Sequence, residues 1–377
     1  MTNQQNTIRI SYSQFIILLF TFIVGASSLI NASIVAEYAR QDGWISSLIA
    51  QVIGVATVWL YVKLIRQHPG KHYPHMLDQV FGFWLGRAIA LLYIFYLFAI
   101  TAYLLRMIGD FVTIFVMPET PMEPIIILFL MFVLYCLLHG INVIARCAEI
   151  LFPWIITLMG ILLIFSMPIL DLNNLQPMLE EGWRGVAKGL YPIVGIPYLD
   201  LVIFLYFIHH VEATYKIPRA MLWTTAIGGS LITLITSIIL SVIGANYTGR
   251  QLFAGFMLAR RIHIGEFLQR VEVIVGGFWI LSMFIKICIC YYALLIALKH
   301  VTGSREYTFF LVPSGIILVL LSLTIAPNTV YFKDMLTHSW TPLVLLYGIV
   351  FPLLTLGVGY FRKSSKKRRD WRCTSRS

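Results

Sequence analysis

Stretches of about 20 apolar residues recur from one end of this chain to the other, and that recurrence leaves few folds open. A helix of this length crosses the hydrocarbon of a bilayer, and it satisfies its own backbone polar groups where water cannot. Ten such segments can be drawn, at about 12–35, 44–65, 84–115, 124–140, 147–168, 188–210, 218–244, 272–298, 307–326 and 340–361. With 59% hydrophobic and 12% charged residues, 377 residues carry too little polar surface to cover a soluble globule. The expectation is an all-α integral membrane protein: one polytopic domain over 1–361, followed by a basic tail over 362–377. The first segment follows a polar start, exceeds a signal-peptide core and lacks an A-x-A site, so it is expected to remain as a span.

The net charge of +11 could suggest nucleic acid, but the basic residues collect at helix ends and in the tail, which points to topology and not to a nucleic-acid partner. An even number of spans puts both termini on one side, and the tail marks that side as cytoplasmic. Eighteen Lys and Arg fall inside on this assignment and 8 outside, with the tail supplying most of the contrast. The five cysteines (Cys136, Cys147, Cys288, Cys290, Cys373) show no metal or redox spacing and read as packing residues. No nucleophile, metal set or paired acids at one depth marks an enzyme, and the sequence calls for no cofactor.

Two places interrupt the apolar pattern. Tyr191 to Asp200 holds Pro192, Gly195, Ile196, Pro197 and Leu199 before a carboxylate in mid-span. Pro197 cannot donate and crowds the preceding turn, so the sixth helix must break or kink, with Asp200 just beyond. Irregular backbone at membrane depth survives only where it is packed in protein or lines a polar cavity, which makes the break a candidate binding site. In the first span, Gly25-Ala26-Ser27-Ser28 could unwind in the same way, or could be a small-residue helix contact. The two spans lie five apart. Two halves of five, about 12–168 and 188–361, would be inverted relative to each other, with interrupted helices at corresponding positions, as in secondary transporters.

Tyr96, Ala99, Tyr103, Arg106 and Asp110 share one face of the third span, and Arg106 can pair with Asp110, either as an outer gate or as an interfacial ion pair. Lys286 is the one ionisable residue deep in the eighth span, and an ammonium facing lipid costs about 3 kcal/mol or more. It should therefore face the interior, with Asp200 or a serine of the first span as partner. Tyr291 follows on the same helix. His68, His72 and His75 in one loop could bind metal but read better as solvated residues, and His209-His210-Val211-Glu212 as a helix end at the interface. The segment from Asn246 to Val271 is long for a connection and could fold over the outer face as a lid.

Several stretches carry a resemblance. Ile10-Ser11-Tyr12-Ser13-Gln14-Phe15, Gln41-Asp42-Gly43-Trp44-Ile45-Ser46, Gly140 to Ile150 and Asp171-Leu172-Asn173-Asn174-Leu175-Gln176-Pro177 resemble the B subunits of spore germinant receptors, over about residues 8–361. That family resembles amino acid permeases with the leucine-transporter fold, ten helices in two inverted halves with helices 1 and 6 broken around the ligand. The resemblance implies a place in the inner membrane of the endospore and a germinant, often an amino acid. It also implies a complex with a membrane-anchored A-type subunit and a C-type lipoprotein. The family usually has glutamate near the sixth-helix break and often proline after the first; here stand Asp200 and Asn31.

On this reading a small zwitterion sits between the breaks. N–H groups at Gly25, Ala26, Ser27 and Ser28 would hold its carboxylate, and Tyr191 to Asp200 its other end. Asp200 either meets the ammonium or caps its own half-helix. Tyr96, Tyr103 and Tyr291 would line the pocket. Binding would shift a two-state helix arrangement and signal to the partner subunits to trigger germination. The alternative is a genuine proton-coupled amino acid transporter using the same site.

Overall fold

The computed structural model describes residues 9–180, 182–212, 214–262 and 271–374, with side chains given to 362 apart from 271. Ser11 starts the first helix, α1 (Tyr12–Ala39), through a capping box: its hydroxyl accepts from Gln14 N and Gln14 Oε1 accepts from Ser11 N. A 3-10 turn, Arg40–Asp42, leads into α2 (Gly43–Gln67). Next come α3 (Tyr73–Phe81), α4 (Phe83–Phe115), α5 (Met122–Leu138) and α6 (Ile141–Ser166). The second half holds α7 (Gly182–Ile193), a π-helical turn at Val194–Tyr198 and a 3-10 helix at Leu199–Tyr206. It continues with α8 (Ile217–Ile243), α9 (Ala245–Arg250), α10 (Ala254–Arg261) and α11 (Val271–Thr302). It ends in α12 (Leu311–Thr324), α13 (Thr329–His338), α14 (Trp340–Leu345), a π turn at Leu346–Val350 and α15 (Phe351–Thr374).

Each of the ten apolar segments is helical. Among the described residues seven helical runs are long and apolar enough to cross a membrane, the first spanning α1 and α2 together; α12 and α13 form a bent pair at 101°, and α5 is shorter. The centre of the bundle is α1, packed along α8, α11 and α7, with 182–206 threaded between α1 and α2. α5, α6 and α12 lie outside this centre and present bulky apolar side chains such as Phe132, Trp154 and Ile316 outward, as a lipid face requires.

The first helix corrects one expectation: α1 is not broken, and runs as continuous α-helix through Gly25 to Ser28. Two observations explain it. Ser28 Oγ donates to Gly25 O at 3.2 Å, so the hydroxyl is satisfied within the helix. Asn31, where the resembling family often has proline, keeps its N–H and donates through Nδ2 to Ser47 of α2 and Thr236 of α8, both at 3.0 Å. The small residues serve close helix approach instead. A Cβ at Gly25 would meet Ser282 O of α11 at 3.4 Å, and a Cβ at Gly255 of α10 would meet Ser28 O at 2.7 Å.

The ends of the bundle are defined by a few backbone and side-chain contacts. Ile10 pairs with the backbone of His210 and Glu212, His209 packs on His72 at the head of α3, and Arg362 donates to Gln79 O and Val80 O of α3. The start of α1 and the exit of α15 therefore lie at one end. At the other, Lys333 of α13 binds Glu37 at 2.9 Å and His338 meets Tyr38. α9 and α10 pack there against α1; of the segment read as a lid, residues 263–270 lie outside the described residues, as do Glu181 and the tail's side chains from 363 on.

Candidate functional site

The sixth span breaks where the sequence places it. Within the π turn Ile196, just before Pro197, is extended (φ −111°, ψ 118°), and the chain then winds as 3-10 helix, tighter than an α-helix. The carbonyls freed by this geometry have donors: Thr341 bonds Pro192 O at 3.3 Å, and Tyr61 of α2 bonds both Leu199 O at 3.1 Å and Gly348 O at 2.7 Å. That is how hydrocarbon depth tolerates irregular backbone. Three glycines make room. A Cβ at Gly54 would fall 2.4 Å from the Tyr198 ring and one at Gly229 2.8 Å from its hydroxyl, so Tyr198 slots between α2 and α8. A Cβ at Gly348 would meet Leu199 Cβ and O at 2.9 Å, so the π turn of the last span presses directly on the break.

Asp200 opens the 3-10 segment and is buried, accepting a 2.7 Å hydrogen bond from Tyr96 of α4. Tyr96 is held in turn by an aromatic stack, 4.7 Å from Tyr347 and 6.1 Å from Trp340. Lys286 of α11 is 1% exposed, and its Nζ has no hydrogen-bond partner among the described residues. The ammonium lies 4.4 Å over the Phe22 ring of α1, and its charge acts on Asp200 through space. A desolvated cation on an aromatic face gains about 2 kcal/mol, less than burial costs it. Ser27 Oγ is likewise buried, with no hydrogen-bond partner among the described residues.

Of the residues singled out from sequence, Asp200, Tyr96 and Lys286 thus form one centre with Gly195, Ile196, Pro197 and Leu199. Tyr103 packs edge-on against Trp340 and at a tilt against Phe332, further toward α13. Tyr291 donates to Leu311 O and meets Ser314 Oγ, so its hydroxyl points to α12. Tyr61, Tyr347, Trp340 and the three glycines are not singled out by the sequence; glycines inside apolar helices are the available signal. A cavity of about 490 Å³ lined by Tyr38, Arg184, Lys188, Tyr191, Pro192 and His338 adjoins the first residues of the break.

Arg106 and Asp110 pair as expected, but as a buried joint: Arg106 Nη1 bonds Ala326 O at 2.7 Å and Leu323 O at 3.3 Å, and Asp110 accepts from Thr329. They fasten both sides of the α12–α13 bend. The resembling stretches also meet in pairs. Gln14 binds Glu149 at 2.9 Å, while Gln41 bonds Pro177 O and Glu180, and Asp42 accepts from Leu179 N. Those motifs are scaffold joints.

At the end where the chain begins, five histidines gather. His72 lies 4.3 Å from His75, 5.1 Å from His209 and 5.6 Å from His300 by ring centroid, and His209 packs on His210. Burial, then the neighbouring imidazoles, pushes His72 down to about 2 and His209 to about 4. Neither His72 nor His75 stands in an isolated solvated loop.

A bundle of apolar helices with an interrupted span closing on a buried acid and a buried lysine has the architecture of a permease-like membrane protein. The chain belongs to the spore germination protein family, whose family model matches residues 9–330. It is 27% identical to spore germination protein KB of Bacillus subtilis (strain 168), over 96% of each chain. It is 26% identical to spore germination protein A2 of the same organism, over 94% of this chain and 98% of that one. The solved structure of MhsT in complex with L-phenylalanine is similar at TM-score 0.65 and 14% identity, over 94% of this chain and 96% of that one. That likeness shows a leucine-transporter-like fold.

Proposed function

We propose that this chain is the germinant-sensing subunit of a spore germinant receptor and that it binds a small zwitterion, an amino acid, beside the break of the sixth span. The observation that carries the reading is the separation of two buried charges: Lys286 Nζ lacks a hydrogen-bond partner while Asp200 is turned to Tyr96. A ligand with an ammonium and a carboxylate can meet both, the ammonium at Asp200 and the carboxylate at Lys286. This moves the carboxylate from the N–H groups of Gly25 to Ser28, which α1 uses internally, to the lysine. Gly195, Ile196, Pro197 and Leu199 supply backbone; Ser27 and Tyr96 supply hydroxyls. The cavity at Tyr191 and Arg184 is the approach.

In this reading the two five-helix halves are inverted repeats, and the bilayer is the inner membrane of the endospore with both termini cytoplasmic. Binding biases the break toward one of two arrangements, and A-type and C-type partner subunits read the change. The relatives' spore germination names and the permease fold support it. Transport is the second reading, favoured by the same unpaired lysine, which could stand in for a coupling cation.

The test is a panel of amino acids titrated against the purified chain in nanodiscs, followed by uptake into vesicles. Saturable binding weakened about 10- to 100-fold in Asp200→Asn and lost in Lys286→Met supports the site; undiminished affinity in both overturns it. Uptake by the chain alone supports transport over sensing.

A further inference from the structure

The histidine cluster at the end of α3 stands apart from the break and is not used by it. His72 and His75, at the head of α3, and His300, in the last turn of α11, each offer one ligand atom, and these atoms lie within 4.8 Å of one another. Three imidazoles bound tetrahedrally at zinc-type distances sit about 3.4 Å apart at nitrogen, so small side-chain turns close the set. Asp78, one turn beyond His75, pairs with His300 Nε2 at 2.8 Å and so fixes the orientation of that ring. A carboxylate behind a histidine is the usual support of a metal ligand, fixing ring and tautomer.

Two further atoms point the same way. His72 Nδ1 and Asp78 Oδ1 are buried without hydrogen-bond partners among the described residues. Imidazoles gathered at a cavity of about 430 Å³ are what a soft-to-borderline cation would complete. Arg87 and Lys299 also line that cavity and would suit an anion. The Arg87 guanidinium, however, lies 4.0 Å over the Phe83 ring, and the groups that converge are ring nitrogens.

We propose that His72, His75 and His300, oriented by Asp78, form a binding site for a divalent transition metal of the zinc class. The ion would tie α3 to the end of α11, the helix that carries Lys286 at its middle, and so hold this end of the bundle in the arrangement described.

The experiment uses the full chain, free of any histidine tag, in nanodiscs. Co²⁺ is titrated while its visible absorption is followed, and Zn²⁺ is then added in competition. The expected result is one saturable equivalent with the intense absorption of a low-coordination nitrogen site, displaced by Zn²⁺. His75→Ala, at an exposed side chain that leaves the fold intact, and His300→Gln should abolish it. Asp78→Asn should weaken it about 10- to 100-fold, and His139→Ala, outside the ligand set and bonded to α5, should leave it unchanged. No saturable band in the native chain overturns the proposal, as does a band that persists in both His75→Ala and His300→Gln. Thermal stabilisation by inorganic phosphate with none by Zn²⁺ also overturns it, in favour of an anion site.

Discussion

Tyr96 of α4 and Asp200 beyond the break are joined by a 2.7 Å hydrogen bond with both side chains buried, so the acid has an internal donor on a rigid helix. Contact and cap can be told apart here. In Asp200→Asn the amide oxygen still accepts from Tyr96, but the charge is gone. Amino acid affinity should fall about 10- to 100-fold, the equivalent of a charged hydrogen bond, with the thermal midpoint unchanged. Tyr96→Phe removes the donor and should destabilise by about 1.5–3 kcal/mol. Isothermal titration and thermal unfolding read the two effects separately. Asp200 makes no cap bond to its own half-helix, whose N-cap is Tyr198, so unchanged affinity in Asp200→Asn would leave the acid as the structural partner of Tyr96 alone.

Tyr198 should be the most sterically confined side chain of the break. Gly54→Ala places a methyl 2.4 Å from its ring, too close for any rotamer adjustment short of moving the tyrosine. Overpacking of this kind costs about 1–3 kcal/mol. Thermal unfolding should show that loss in Gly54→Ala, and Tyr198→Leu in the same background should recover part of it. An additive double variant would mean that the slot is looser than the distances imply.

Gly25 offers the opposite expectation. Because α1 is continuous, alanine at 25 meets Ser282 at 3.4 Å, ordinary contact, and gains helix propensity of about 1 kcal/mol over glycine. Gly25→Ala should then match or exceed the native chain in stability. An unwound first span with its N–H groups turned on a ligand would lose binding in the same variant, and a binding titration decides.

The break at Pro197 was legible because proline acts locally: its missing N–H and its ring bulk hold in any context. The first span was not, because glycine and serine leave both outcomes open. What decided it was Asn31 reaching Ser47 and Thr236, a contact made across the bundle. Asp200 and Lys286 could be picked out by the cost of charge at depth. Tyr96 was recognised as facing inward but not as the acid's donor, since residue spacing gives the face and not the partner. The histidine cluster was half visible: His72 and His75 are near neighbours in sequence, while His300 arrives from α11, more than 200 positions on.

Arg106 is expected to hold the bend of the α12–α13 pair. Its guanidinium occupies the carbonyls of Leu323 and Ala326 while pairing with Asp110, which reaches Thr329. Arg106→Met leaves Asp110 buried without its cation, a loss of about 3–5 kcal/mol. Arg106→Met with Asp110→Leu should recover much of that. Hydrogen exchange over 325–338 should rise in the single variant and return toward native in the double one if the pair acts on the bend.

Lys286 carries the sharpest sign test. A buried lysine that lacks a hydrogen-bond partner is destabilising unless something uses it, since its burial cost exceeds the gain over Phe22. Lys286→Met keeps the unbranched shape and drops the charge, so the ligand-free chain should gain stability while amino acid binding is lost. Stability and function would then move in opposite directions, as they do where a site is held strained for its ligand. Were Lys286 instead a structural counter-charge to Asp200, the same substitution would strand the acid and lower stability by about 3–5 kcal/mol. Thermal unfolding of the purified variant, with and without Asp200→Asn, gives the sign: a rise supports a lysine reserved for a ligand, and a fall that Asp200→Asn repairs identifies a buried ion pair.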